Sequence, residues 1–110
     1  MMLPKKNRLT KGFRAVLSKG ERRKNSFMMA VYVKHQQHYA RFGFIVTKKI
    51  GNAVVRNKVK RLLKHIVKEN LAQIPNNISV VIIASPFVSD WKVVDKAKVR
   101  ASLLELLTNL

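Results

Sequence analysis

Cysteine is absent from this chain of 110 residues, carboxylates number only 5, and aromatic residues make up 7% of it. Without cysteine there is no disulfide framework and no thiolate zinc site. The acidic side chains, Glu21, Glu69, Asp90, Asp95 and Glu105, are scattered along the sequence, so no carboxylate pair suited to acid–base chemistry is visible. Glycine-rich phosphate loops and nucleophile elbows are missing as well. The longest largely apolar stretches, Phe27–Val33 and Ile78–Ala84, fall far short of the ~20 residues that cross a bilayer, so no membrane partner is expected. The start, Met1-Met2-Leu3-Pro4-Lys5-Lys6, has positive charge but no apolar segment after it; no secretory signal is visible, and a cytoplasmic location is expected.

What the chain has is positive charge: 23 Lys and Arg give a formal net charge of +18. Residues 1–68 hold 19 basic and 1 acidic side chain, and residues 69–110 hold 4 of each, so the whole excess lies in the first three-fifths. A disordered basic arm would be poor in apolar residues. Here the charges are interleaved with Phe13, Val16, Leu17, the run Phe27–Val33, Phe42–Val46 and Val59–Val67, the pattern of folded elements. A folded domain that tolerates this much self-repulsion points to a polyanionic partner, and nucleic acid fits better than an anionic membrane because no helix joins a basic face to bulky aromatic anchors.

No linker, repeat or low-complexity segment divides the chain, so residues 1–110 read as one RNA-binding domain. Phe13, Val16 and Leu17 recur at helical spacing up to Gly20. Two β-type runs follow, about Ser26–Lys34 and Tyr39–Thr47, with His35-Gln36-Gln37-His38 read as the hairpin loop between them. Val55, Val59, Leu62, Leu63, Ile66 and Val67 then mark a helix running to about Asn70. Beyond the turn Pro75-Asn76-Asn77, Ile78–Ala84 has the composition of a buried central strand, stopped by Pro86. Ser89 or Asp90 can cap a last helix with apolar positions Val94, Ala97, Ala101, Leu104 and Leu107. The expected fold class is α+β, in the order α-β-β-α-β-α, with a mixed sheet covered by helices on one face.

At about 100° per residue, the long helix places Arg56, Asn57, Lys60, Arg61, Lys64 and Lys68 nearly opposite its apolar stripe. A solvated outer face is the ordinary explanation for such charge. Yet no carboxylate lies between Glu21 and Glu69, and pairs such as Arg56–Lys60, Lys60–Lys64 and Lys64–Lys68 each cost ~0.2–0.5 kcal/mol in the free helix. Phosphate binding accounts for that uncompensated charge. Phe13, Leu17 and Tyr32 form a second constellation, either core or an apolar floor on which single-stranded bases stack. His35 and His38 have no third metal ligand nearby in sequence. His65 lies beside the basic face, and Met28, Met29 and Trp91 read as core or rim.

The segment from Arg41 to Arg61, R-F-G-F-I-V-T-K-K-I-G-N-A-V-V-R-N-K-V-K-R, closely resembles the signature of the bacterial ribonuclease P protein subunit. That family runs from a hydrophobic strand through K-K-I-G-x-A-V-x-R-N into a basic helix. Lys6-Asn7-Arg8-Leu9, with Phe13 downstream, is similar to the same family's N-terminus, and the likeness extends over essentially the whole chain. The resemblance implies an α/β sandwich with a left-handed β-α-β crossover, an exception to the usual hand. It implies a catalytic RNA as partner and an endoribonuclease holoenzyme that removes the 5′ leader of precursor tRNA. Magnesium would be bound mainly by the RNA, with no catalytic or metal-binding residue on the protein, itself a monomer apart from the complex. By that resemblance Arg56, Asn57, Lys58, Lys60, Arg61, Lys64 and Lys68 contact the catalytic RNA, while Arg8, Phe13, Leu17, Tyr32, Lys48 and Lys49 form the cleft for the leader. Lys58 and Lys64 stand where Arg is common, Leu17 stands where an aromatic is common, and the segment around Gly12 is two residues shorter than in some relatives. A basic ribosomal or RNA-chaperone-like protein is the alternative from another class; a stand-alone nuclease is disfavoured by the scattered carboxylates.

That scatter carries a test. The RNA-free protein is expected not to cleave precursor tRNA at high magnesium under single-turnover conditions; specific 5′ processing abolished by substitution of a carboxylate would overturn this.

Overall fold

A computed structural model describes residues 3–35, 39–85, 91 and 95–108. Its helices are α1 (Phe13–Lys19), α2 (Ala53–Glu69) and α3 (Lys96–Thr108); its strands are β1 (Glu21–Lys24), β2 (Met28–Lys34), β3 (Arg41–Ile45) and β4 (Ile78–Ala84). The strands form one mixed sheet in the order β1-β2-β4-β3, with β4 antiparallel to β2 and parallel to β3.

The expected strand over Ile78–Ala84 and the long helix lie where their patterns put them. Asn52 caps α2 by accepting a hydrogen bond from the Val55 N–H at 3.0 Å, which satisfies one donor of the first turn. Gly20 ends α1, donating its N–H to the Val16 carbonyl at 2.7 Å.

Four expectations are corrected. Glu21–Lys24 forms an additional strand, antiparallel to β2. It is charged and mostly exposed, without the apolar alternation that betrays a strand, and its charge suits a sheet edge that must not recruit another chain. The expected hairpin between the second and third strands does not exist, because β4 lies between them; residues 36–38 are outside the described residues. Helices cover both faces rather than one. Alternation along the strands sends Met28, Ala30, Phe42, Val80 and Ile82 toward α2 and α3, and Val31 and Val81 toward Val16 of α1. Finally, α3 buries a different stripe from the one expected; its Asp95 carboxylate accepts from the Ala97 N–H at 2.9 Å, and the expected caps Ser89 and Asp90, with Val94, are outside the described residues. The buried stripe of α3 is Val99, Leu103, Leu106 and Leu107, while Ala97 and Ala101 are exposed. A leucine-rich end offers more than one apolar stripe, and contact with the sheet selects among them.

The N-terminal arm shields the free edge of β3. Leu9 donates its N–H to the Phe42 carbonyl at 2.8 Å, and the buried Asn7 amide donates to the Ala40 carbonyl at 2.7 Å. This anchoring brings Phe13 onto β3, where its ring rests on Gly43. A Cβ built on Gly43 would lie 2.3 Å from the ring's Cζ, so only glycine leaves room. Gly43→Ala is therefore expected to destabilise the chain by about 1–3 kcal/mol through overpacking, read from urea denaturation. Adding Phe13→Ala to that variant should cost less than the same change in the unmodified chain; strict additivity would show that ring and glycine do not meet.

Candidate nucleic-acid interface

Docking of the α2 stripe fixes the direction of everything opposite it. With Val55, Val59, Leu63 and Ile66 buried, Asn57, Lys58, Arg61 and Lys64 are exposed, and Arg56, Lys60 and Lys68 are half-buried. The Nε of Arg56 is enclosed yet has no hydrogen-bond partner among the described residues. A desolvated donor of this kind is costly until an acceptor arrives.

Between α2, the arm and the edge of the sheet lies a groove of about 870 Å³. Arg8, Leu9 and Thr10 come from the arm, Phe13 from α1, Phe42, Gly43 and Phe44 from β3, and Lys60, Arg61, Lys64 and His65 from α2. At the end of α2, the Glu69 carboxylate accepts from His65 Nε2 at 2.6 Å and from the Arg100 guanidinium of α3 at 3.2 Å. The one acid on α2 thus faces α3 and its own helix. An aromatic ring with apolar neighbours on one side and cations on the other suits a single nucleic-acid strand, whose bases stack and whose phosphates pair with Lys and Arg.

Two residue sets that lie apart in the sequence meet here: Arg8 and Phe13 from one, Lys60, Arg61 and Lys64 from the other. Lys48 and Lys49 are exposed on the 3-10 turn before α2 and do not line the groove. Arg56, Asn57, Lys58 and Lys68 also lie outside its lining. Tyr32 is separated from Phe13 and Leu17. It packs against the cluster on the α2 and α3 side of the sheet, whereas Phe13 and Leu17 pack against Val16, Val31 and Val81 on the other. Strand alternation is the reason, and the expectation that all three form one floor is corrected accordingly; Met29, Val31 and Val33 are the β2 residues that share the Phe13 side. The Tyr32 hydroxyl instead donates to Glu21 of β1 at 2.8 Å. That hydrogen bond to a carboxylate, aided by burial, raises the phenol above its ordinary pKa, so this side-chain contact, added to the backbone ladder of β1 and β2, persists at neutral pH and is lost as the phenol ionises in alkali. Thr10 and Gly43 gave no sequence signal of a site, since only the arm's path along β3 brings them in. Among the described residues no three His, Asp or Glu side chains gather as metal ligands, and no helix is long and apolar enough to cross a membrane.

Known proteins are similar to this chain in both sequence and fold. The family model for ribonuclease P matches residues 3–110. A ribonuclease P protein component from Syntrophomonas wolfei is 42% identical over 85 residues, covering 76% of this chain and 71% of the relative. One from Alkaliphilus metalliredigens is 35% identical over 106 residues, 94% of this chain and 93% of its own. Among solved structures, the RNase P protein of Thermotoga maritima in complex with 1-(4-fluorophenyl)-2-thiourea superposes with a TM-score of 0.88 at 31% identity, covering 94% of this chain and 99% of that one. The Staphylococcus aureus protein reaches 0.79 at 26% identity over 94% and 93% of the two chains. With a basic helix facing a ring-lined groove on the same mixed sheet, the chain belongs to the ribonuclease P protein family, the protein subunit of the ribonucleoprotein endoribonuclease that processes tRNA 5′ ends.

Proposed function

We propose that the α2 face from Arg56 to Lys68 grips the catalytic RNA of this particle, and that the groove beside it holds the 5′ leader of precursor tRNA. The observation that carries this reading is that the Phe13 ring lines one groove together with Lys60, Arg61 and Lys64. Phosphates of the catalytic RNA along α2 pair with Lys60, Arg61 and Lys64 on one wall of the groove, while a base of the leader stacks on the Phe13 ring at the other. Magnesium is assigned to the RNA, which supplies phosphate oxygens as ligands; this chain's part is to bind and orient the strand. Transcription delivers the substrate in the cytoplasm, where we place the reaction.

Arg61→Ala or Lys60→Ala should weaken RNA binding and lower the magnitude of the salt slope by about 0.7–0.9 for each phosphate no longer neutralised. Holoenzyme reconstituted with a bacterial ribonuclease P RNA, titrated with salt, measures this; unchanged affinity and slope in both variants would reduce the face to mere solvation. Phe13→Ala should cost about 1–3 kcal/mol of precursor binding, the worth of one base on one ring, while affinity for mature tRNA, which has no leader, stays constant. Tyr32→Phe should leave both affinities unchanged, since its hydroxyl serves β1; a loss confined to precursor tRNA would return Tyr32 to the leader's path.

A further inference from the structure

A second cavity, of about 580 Å³, opens on the α1 side of the sheet, away from α2. Its floor is one registered row across neighbouring strands: Val33 of β2, Ser79 of β4 and Arg41 of β3. Lys11 and Gly12 of the arm stand over this row. Ser79 interrupts a strand of otherwise aliphatic residues and is 6% exposed. Its hydroxyl makes no hydrogen bond among the described residues, and the residue lines the cavity. The hydroxyl opens to the cavity rather than being enclosed, and an aliphatic residue would bury more apolar surface at a purely structural position of a central strand.

The charge beside it is held in place but not neutralised. The Arg41 guanidinium lies 5.3 Å from the centre of the Tyr39 ring and donates to the Tyr39 hydroxyl at 3.1 Å. These contacts orient the side chain and leave most of its donors free. Neither Arg41 nor Lys11 has a carboxylate partner among the described residues. Two cations and one unpartnered hydroxyl converge on an open concavity, which is the chemistry of a phosphate site. Leu9 lines both this cavity and the groove, so the two adjoin across the arm.

We propose that this cavity is a second phosphate site, which takes a backbone phosphate of the RNA strand lying in the groove. Arg41 and Lys11 supply the charge, and Ser79 donates to a non-bridging oxygen. The assignment rests on the groove's being an RNA site. It extends the RNA contact around the arm to the face of the sheet opposite α2.

The test uses the full chain and a fluorescein-labelled single-stranded oligoribonucleotide, with anisotropy followed over a range of salt. Arg41→Gln should weaken binding about tenfold, the worth of one charge-assisted hydrogen bond, and reduce the salt slope by about 0.7. Arg41→Lys should restore the slope but not the full affinity, since it keeps charge and loses the planar fork. Lys11→Gln, on the exposed arm, gives the same slope change with no core residue altered. Ser79→Ala should weaken binding about threefold, well within the range for a single neutral hydrogen bond, while its melting temperature stays level or rises. If Arg41→Gln, Lys11→Gln and Ser79→Ala all bind as the unmodified chain does while Lys60→Ala loses affinity, the cavity is not a phosphate site and the groove stands; if Lys60→Ala is silent too, the groove reading fails first. Inorganic phosphate that shifts the Gly12 and Ser79 amide resonances and displaces the oligoribonucleotide supports the proposal, whereas phosphate that fills the cavity without displacing RNA assigns it to the free anion and overturns it.

Discussion

The insertion of β4 between β2 and β3 governs the rest of this molecule. A strand buried on both faces has to hydrogen-bond along both edges, and Ile78–Ala84 does so with β2 on one side and β3 on the other. Because β4 runs parallel to its chain predecessor β3, the link between them must travel the length of the sheet. The 17 residues of α2 make that journey, and burial of their apolar stripe leaves little freedom in how the helix is rotated. The basic residues are thereby turned toward the β3 edge and the arm. The same insertion makes β3 an edge strand, which the arm covers; covering it brings Arg8, Thr10 and Phe13 within reach of α2.

Electrostatics follows from this geometry. Of the acidic residues, Glu21 is engaged with Tyr32 at the β1 edge and Glu69 with His65 and Arg100 where α2 meets α3. Neither relieves the repulsion among Lys60, Arg61 and Lys64. A folded protein tolerates such a field where apolar burial exceeds it, and here the sheet is packed on both faces. The field that weakens the free protein attracts RNA from a distance and is neutralised on binding, with release of counterions from the RNA.

Periodicity alone locates the main elements. α2, β4 and α1 carry apolar residues at the spacing their partners require, and each lies within a residue or two of its sequence limits. The charge asymmetry is equally plain, as is the motif from Lys48 to Arg61. By contrast β1 is hidden, because a charged edge strand buries too little to leave a pattern. The leucines of α3 admit more than one stripe, so its buried face is not legible from spacing alone.

The sequence by itself determined that the chain folds around an amphipathic helix and a buried strand, that its partner is a polyanion, and which helix face carries the charge. These are local properties, set by spacing along an element and by counts of charge. Tertiary structure decided which strands are neighbours, which face of the sheet each side chain occupies, and therefore that Phe13 lines one groove with Lys60 and Arg61 while Tyr32 does not. Those outcomes depend on pairings between residues far apart in the chain, such as Gly43 with Val81 and Val33 with Ser79. A one-residue change of register would turn every side chain of a strand to the other face, so the site exists only once β4 has chosen its partners.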